Sequence, residues 1–157
     1  MQKVTPFLWC DGNAEEMMDF YVGIFPNSKV LSVTRAPESA PAPTGSVMMC
    51  SFELDGQTFH CLNAGPNFPY TNAVSFTIDC ADQAEVDYYW ERLTADGGKE
   101  IQCGWLTDKF GLPWQVTPRR LIELISSPDQ EVASRAMAAM MTMVKIDIAA
   151  IEAAARR

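Results

Sequence analysis

The sequence predicts an α+β fold in which two βαβββ modules follow one another and a C-terminal helical tail completes the chain. Three observations support this prediction. Strand and helix patterns occur in the same order in both halves, the strongest hairpin signal lies between two strands of the first half, and a methionine-rich pattern with helical spacing fills the end of the chain. At 157 residues with 48% hydrophobic content, the chain is long enough to bury a core.

The first module covers residues 1–65. Alternating side chains predict a strand at residues 4–10, which places Thr5, Phe7 and Trp9 on one face. Asp55-Gly56 predicts a hairpin turn. The other predicted elements of this module are a helix over 14–25, strands over 29–35, 46–54 and 57–63, and a Pro-rich loop over 36–45.

The second module covers residues 72–126. Its predicted elements are a strand over 73–79, a helix with an apolar stripe from Val86 to Leu93, strands over 99–102 and 114–118, and a further strand over 121–125. Both helices are preceded by a capping pattern, Asn13 with Glu16 in the first module and Asp82 with Glu85 in the second. The modules form one domain over residues 1–126.

Residues 127–157 are predicted to form a helical extension that begins near Ser127 and Pro128 and restarts at Asp147. Its methionine-rich apolar stripe needs a surface to cover it, either in the same domain or in a second subunit. The second alternative is favoured, so the chain is expected to be a homodimer.

Composition narrows the class of protein. A net charge of −8 with no basic stripe argues against nucleic-acid binding. No apolar run is long enough for a membrane span and the N-terminus lacks the apolar region of a signal peptide, so a cytoplasmic location is expected. The five cysteines form no zinc-binding pattern, and most of them are expected to be buried, reduced thiols.

The two modules align with each other when the first strand is shifted by 68 residues and the later strands by 55. These shifts equate Thr5 with Ala73, and His60 with Gln115. Under the same alignment the loop from Cys103 to Pro118 corresponds to the hairpin of the first module. Asp108, within that loop, is expected to be a surface or turn residue.

Five segments carry a family resemblance: CDGNAEEMMDFY, FELDGQTFHCLNAGP, ADQAEVDYYWERL, CGWLTDKFGLPWQVTP and MVKIDIAAIEAA. Together they resemble the PhnB-like branch of the vicinal oxygen chelate superfamily, which includes glyoxalases, bleomycin resistance proteins and dioxygenases. Members of this branch often carry the name 3-demethylubiquinone-9 3-methyltransferase domain. The resemblance covers essentially the whole chain and implies the glyoxalase fold.

The resemblance also implies a site. Metal-dependent members take four ligands from equivalent strand positions of the two modules, here Thr5, His60, Ala73 and Gln115. Only His60 and Gln115 could serve as weak metal ligands, so no tight metal site and no cofactor are expected. The expected pocket residues are Thr5, Phe7, Trp9, His60, Leu62, Ala73, Trp105 and Gln115.

Individual side chains leave alternatives open. His60, the only histidine, is either a general base or hydrogen-bond donor, or a strand residue satisfied by a neighbour. Gln115 either orients a ligand or bonds to its own sheet, and Trp9 and Trp105 either stack on a ligand or pack in the core.

Three functions follow from the resemblance and these residues. The first is binding of a small apolar or aromatic molecule in a sheet cavity without a tight catalytic metal. The second is a metal-dependent lyase, isomerase or dioxygenase of glyoxalase type. The third is the quinone methyltransferase of the family name, although the chain has no Gly-rich S-adenosylmethionine motif.

Overall fold

The structure is a computed structural model that describes residues 2–156. The chain divides into two compact units, Met1–Pro69 and Tyr70–Arg157. Each unit contains a four-stranded sheet with a helix between its first and second strands. This order confirms the predicted α+β fold of two βαβββ modules with a C-terminal helical part. The predicted boundary at residue 126, between the domain and its helical extension, stays a prediction.

In the first unit the sheet has the order β1-β4-β3-β2, with β1 parallel to β4 and the other pairs antiparallel. Asp55 and Gly56 both have positive φ angles, 47° and 84°, as the tight turn between the last two strands requires. The elements are β1 (Phe7–Cys10), α1 (Ala14–Ile24), β2 (Ser28–Arg35), β3 (Val47–Leu54) and β4 (Gln57–Asn63).

Helix α1 covers one face of this sheet. Tyr21 of the helix contacts Phe52 of β3, and the Phe52 ring stacks on Phe59 of β4 with centroids 5.5 Å apart. All three side chains are buried. Because neighbouring residues along a strand alternate between faces, His60 and Ser51 lie on the opposite, open face of the sheet.

The second unit repeats the arrangement with the order β5-β8-β7-β6, again with its first and last strands parallel. Three further helices follow the sheet. The elements are β5 (Phe76–Cys80), α2 (Gln83–Thr94), a 3₁₀ turn (Ala95–Gly97), β6 (Lys99–Glu100), β7 (Trp105–Thr107), β8 (Pro113–Pro118), α3 (Arg119–Ile125), α4 (Gln130–Met140) and α5 (Ile148–Ala155).

One predicted strand and one predicted helix cap are wrong. Residues 121–125 belong to helix α3 and not to a strand, since Leu121 and Leu124 follow helical spacing and pack among the C-terminal helices. Asn13 precedes α1 without a side-chain cap. The cap comes instead from Asn63 at the end of β4, whose Oδ1 accepts a hydrogen bond from the Ala14 amide at 2.9 Å.

Asp108 is not a surface residue, because only 2% of its area is exposed. Its Oδ1 accepts hydrogen bonds from the amides of Phe110 and Leu112 at 2.9 and 3.1 Å, and its Oδ2 accepts one from Nε1 of Trp114 at 2.9 Å. A carboxylate is well suited to this position, since it accepts several hydrogen bonds and donates none. The Asp108 side chain therefore organises the turn that enters β8.

The C-terminal helices pack on one another within the second unit. Their buried side chains form a cluster of Leu121, Leu124, Ala136, Ile146, Ile151 and Ala155. The connector between α4 and α5 also bonds to the loop before β7: the amides of Cys103 and Gly104 donate to the carbonyls of Met143 and Val144 at 2.8 Å each. The predicted apolar stripe is thus partly covered by its own unit.

The structure also bears on membrane insertion. Over residues 2–156, none of the helices combines the length and the hydropathy that a membrane span requires.

Candidate functional site

The open face of the first sheet brings several predicted site residues into two adjacent rows. The strand register pairs Phe7 with His60 and His60 with Ser51, and it pairs Trp9 with Leu62 in the next row. Residues paired in this way point to the same side of a sheet. Phe7, Trp9, His60 and Leu62 therefore share one face, opposite to helix α1.

This face exposes aromatic surface. Phe7 is 55% exposed, and its ring centroid lies 5.7 Å from that of His60. By contrast Leu8, the next residue along β1, is buried on the helix side. Large exposed apolar side chains on an ordered strand are typical of a surface that binds a ligand or another protein.

His60 is held on this face by Ser51. The hydroxyl oxygen of Ser51 and Nδ1 of His60 are 2.6 Å apart, a hydrogen-bonding distance. Ser51 is 6% exposed, while the histidine is half-buried. The imidazole is therefore fixed by two neighbours, the buried hydroxyl on one side and the ring of Phe7 on the other.

Trp9 has a structural role as well as a place on this face. Its Nε1 donates to the Gly65 carbonyl at 2.7 Å, and its ring meets Phe68 edge-on with centroids 4.8 Å apart. Phe68 is itself 62% exposed. The loop after β4 thus adds a second exposed ring beside the tryptophan.

Thr5 lies before the first residue of β1 and is not part of the strand, which begins three residues later than the sequence pattern predicts. Its hydroxyl accepts a hydrogen bond from Nε2 of Gln2 at 3.3 Å. The same amide bonds to both backbone groups of Thr58. Gln2, which the sequence did not single out, therefore fastens the segment before β1 to the start of β4.

The second unit places Gln115 in a comparable row. Gln115 lies between Thr77 of β5 and Trp105 of β7 in the register, and its Nε2 donates to Oγ of Ser75 at 2.9 Å. Trp105 is half-buried. The glutamine amide is thus bonded to its own unit, in agreement with one of the two alternatives for this residue.

The register corrects the internal alignment. Phe7 lies opposite His60 and Thr77 lies opposite Gln115, so the first strands of the two modules are 70 residues apart and not 68. Ser75 is then the counterpart of Thr5. Ala73 is exposed in a turn before β5. Its assignment as the counterpart of Thr5 is wrong because the sequence contains no signal for where the strand begins.

The side chains at the expected ligand positions do not fit a divalent cation. Catalytic metal sites usually use three ligands drawn from His, Cys and carboxylates. No group of three or more such side chains close enough to hold a metal ion occurs within residues 2–156. Thr5 and Ser75 offer neutral hydroxyls, Gln115 offers an amide, and Nδ1 of His60 is already bonded to Ser51.

The cysteines on the helix side of the sheets are poor nucleophiles. Burial raises the pKa of Cys50 to about 11 and that of Cys80 to about 12. The pKa of Cys61 is also raised, first by its hydrogen bond with Cys10 and then by burial. These thiols stay protonated at neutral pH and take no part in the open faces.

Ser51 is the residue that the sequence reasoning missed, and a signal for it was present. A two-residue turn at Asp55-Gly56 sets Leu54 opposite Gln57, and counting outward from there sets Ser51 opposite His60. Counting strand pairs from the hairpin would have identified the serine as the cross-strand neighbour of the histidine.

Comparison with known proteins agrees with this geometry. The sequence model of the 3-demethylubiquinone-9 3-methyltransferase family matches residues 2–117. The PhnB protein of Bacillus cereus, whose description carries the same methyltransferase name, is 36% identical. The match covers 74% of this chain and 99% of that one, with a TM-score of 0.68. Comparison with curated proteins gives no match.

Two more distant structures share the fold alone. Protein PA1353 from Pseudomonas aeruginosa is 19% identical with a TM-score of 0.63, covering 75% of this chain and 98% of its own. The fosfomycin resistance protein FosX from Listeria monocytogenes is 14% identical with a TM-score of 0.53, covering 75% and 93%.

The paired βαβββ modules and the match to the PhnB protein define a protein of the vicinal oxygen chelate superfamily. Within that superfamily the chain belongs to the PhnB-like family, whose sequence model carries the name 3-demethylubiquinone-9 3-methyltransferase. The resemblance seen in the sequence is confirmed over residues 2–117, and the segment MVKIDIAAIEAA lies beyond the matched residues.

Proposed function

We propose that the open face of the first sheet binds a small apolar or aromatic molecule, without a tight catalytic metal. The observation that carries this proposal is the exposed ring of Phe7 beside an imidazole held by Ser51. An apolar surface with one fixed polar group is the usual composition of a small-molecule site. Phe7, Trp9 and Leu62 supply the apolar contacts, and His60 supplies the polar one.

The second unit carries a separate set of candidate residues on its own sheet. Trp105 and Gln115 share one row of their sheet, and Ser75, as the counterpart of Thr5, replaces Ala73. The amide of Gln115 keeps its carbonyl oxygen as an acceptor, since only its nitrogen bonds to Ser75. The proposal assigns binding and no reaction.

Replacing Phe7 by alanine is expected to weaken binding of an aromatic probe, 2-acetonaphthone, about 5- to 10-fold, because an aromatic contact contributes roughly 1 kcal/mol. Titration calorimetry measures the loss. Phe20→Ala is the matched control, since Phe20 is a half-buried aromatic residue of α1 on the helix side of the same unit. Equal losses in both variants, or no binding by the wild type, would contradict the proposal.

Direct measurements distinguish the proposed binding function from the two other candidate functions. The family name suggests a methyltransferase, yet the β1–α1 turn contains a single glycine and the β5–α2 turn contains none. S-adenosylmethionine is therefore expected not to bind in equilibrium dialysis. Titration with Ni²⁺, Zn²⁺ or Fe²⁺ tests the metal-dependent alternative, and tight binding that is lost in His60→Ala would favour it.

The proposal includes a homodimer in a reducing compartment such as the cytoplasm. All five cysteines are thiols, which is common in such compartments. Met137, Met141 and Val144 remain 41%, 59% and 42% exposed on the C-terminal helices and their connector, and this apolar surface suits a second copy of the chain.

Light scattering is expected to give the mass of a dimer for the wild type and of a monomer for Met137→Glu combined with Met141→Glu, because two buried charges would oppose association. Val4→Glu is the control, since Val4 is an exposed apolar residue of the first unit. A monomeric wild type at micromolar concentration would rule out this part of the proposal.

A further inference from the structure

We infer that Ser51 is a positioning residue that fixes the tautomer of His60, so that Nε2 presents an N–H donor to a ligand with an acceptor oxygen. This inference rests on the proposed function for its ligand. Its starting point is the 2.6 Å contact between the serine hydroxyl and Nδ1. A neutral imidazole has one nitrogen that donates and one that accepts, and the partner of one nitrogen decides the role of the other.

The buried hydroxyl of Ser51 needs an acceptor, and this need determines which of the two groups donates the hydrogen bond. Ser51 is buried, and its only side-chain hydrogen bond among the described residues is the one to His60. If Nδ1 carried the proton, the Ser51 oxygen would accept it and the buried O–H would have no acceptor. If the serine donates to Nδ1, every polar group is satisfied, and unsatisfied buried donors are costly.

With Nδ1 accepting, Nε2 carries the proton of the neutral ring. No protein group within residues 2–156 bonds to Nε2, and the ring is half-buried on the open face beside Phe7. A protonated Nε2 donates a hydrogen bond, but it offers no lone pair to a metal ion or to a proton of the ligand. The site therefore favours ligands that carry a hydrogen-bond acceptor.

The chemical class of the ligand follows from these neighbours. The exposed ring of Phe7 favours an aromatic or apolar body, and the N–H of His60 favours a carbonyl or a comparable acceptor oxygen attached to it. An aryl ketone meets both requirements. A hydrocarbon of the same shape meets only the first, and a matched pair of such compounds isolates the contribution of the hydrogen bond.

The tautomer can be observed without any ligand. Because the chain has one histidine, the two imidazole nitrogens of ¹⁵N-labelled protein are assigned directly in long-range ¹H–¹⁵N spectra at a pH where the ring is neutral. The expected result is a protonated Nε2 and an unprotonated Nδ1. In Ser51→Ala a measurable share of the Nδ1-protonated form should appear, and Ser51→Thr, which keeps the hydroxyl, should restore the wild-type spectrum. A protonated Nδ1 in the wild type would overturn the inference.

Ligand selection is tested with 2-acetonaphthone against 2-ethylnaphthalene. The wild type should bind the ketone about 3- to 10-fold more tightly, as expected for one hydrogen bond. In Ser51→Ala this preference should shrink, because the tautomer of His60 is no longer fixed. Equal affinities in the wild type would overturn the donor role and leave the proposed function standing. If neither compound binds, the proposed function fails and the ligand-free spectrum still decides the tautomer.

Discussion

Replacing Asp108 by alanine is expected to lower the free energy of unfolding by about 3–5 kcal/mol, because it leaves three donors without their acceptor. The amides of Phe110 and Leu112 and the indole N–H of Trp114 all donate to this buried carboxylate. The hydrogen bonds from the Leu112 amide and the Trp114 indole are buried, so water does not replace the acceptor that they lose, whereas the bond from the Phe110 amide is only partly buried. Urea denaturation monitored by circular dichroism measures the change.

Asp108→Asn and Trp114→Phe together separate the parts of this effect. Asparagine keeps one oxygen for the two amides but loses an acceptor for the indole, so a smaller loss of about 1–3 kcal/mol is expected. In a Trp114→Phe background the asparagine should cost less, since the indole donor is gone. A loss below about 1 kcal/mol for Asp108→Ala would contradict the role assigned to the carboxylate.

Replacing Gly104 by alanine is expected to destabilise the protein by about 2–4 kcal/mol, for two reasons that add. Gly104 has a φ of +81°, which L-residues with a side chain adopt at a cost. A Cβ at this position would also lie 3.0 Å from the Val116 carbonyl oxygen and 3.0 Å from Cγ1 of Ile146. Thermal or urea unfolding measures the loss.

Gly111→Ala is the matched control for Gly104→Ala. Gly111 has a similar φ of +86°, but a Cβ there would meet nothing within 4 Å. It should cost only about 1–2 kcal/mol, the backbone contribution. The difference between the two variants measures the cost of both close contacts, one with the β8 backbone at Val116 and one with Ile146 of the connector. Equal losses would mean that both neighbours move aside without cost.

The sequence predicted the order of the elements because their signals are local. Alternation identifies strands such as β3 and β4, and Asp55-Gly56 identifies the hairpin between them. The helix at Arg119–Ile125 was predicted as a strand because a short apolar run is ambiguous between the two. Its partners in the tertiary structure, the later helices, decide the outcome.

The candidate site was less predictable, since its hydrogen bonds join residues distant in sequence. Asn63 caps α1 although Asn13 stands at the expected position, and Ser75, not Ala73, bonds to Gln115. The residues around Asp108 are typical of a surface turn. Only the fold shows that the indole of Trp114 and two backbone amides donate hydrogen bonds to its carboxylate. His60 was recognisable as the only histidine, whereas its link to Ser51 required the strand register.

The docking of the C-terminal connector has a consequence for how this family diverges. Cys103 and Gly104 contribute backbone amides to it, and both ends of the Gln83 amide bond to backbone groups of Ile146 and Ile148. Backbone groups are the same in every residue other than proline, so substitutions in the connector leave these bonds intact. The match to the family ends at residue 117, before the connector. Relatives that retain such a tail should therefore be recognised by a glycine at position 104 and a glutamine at position 83, and not by conserved methionines.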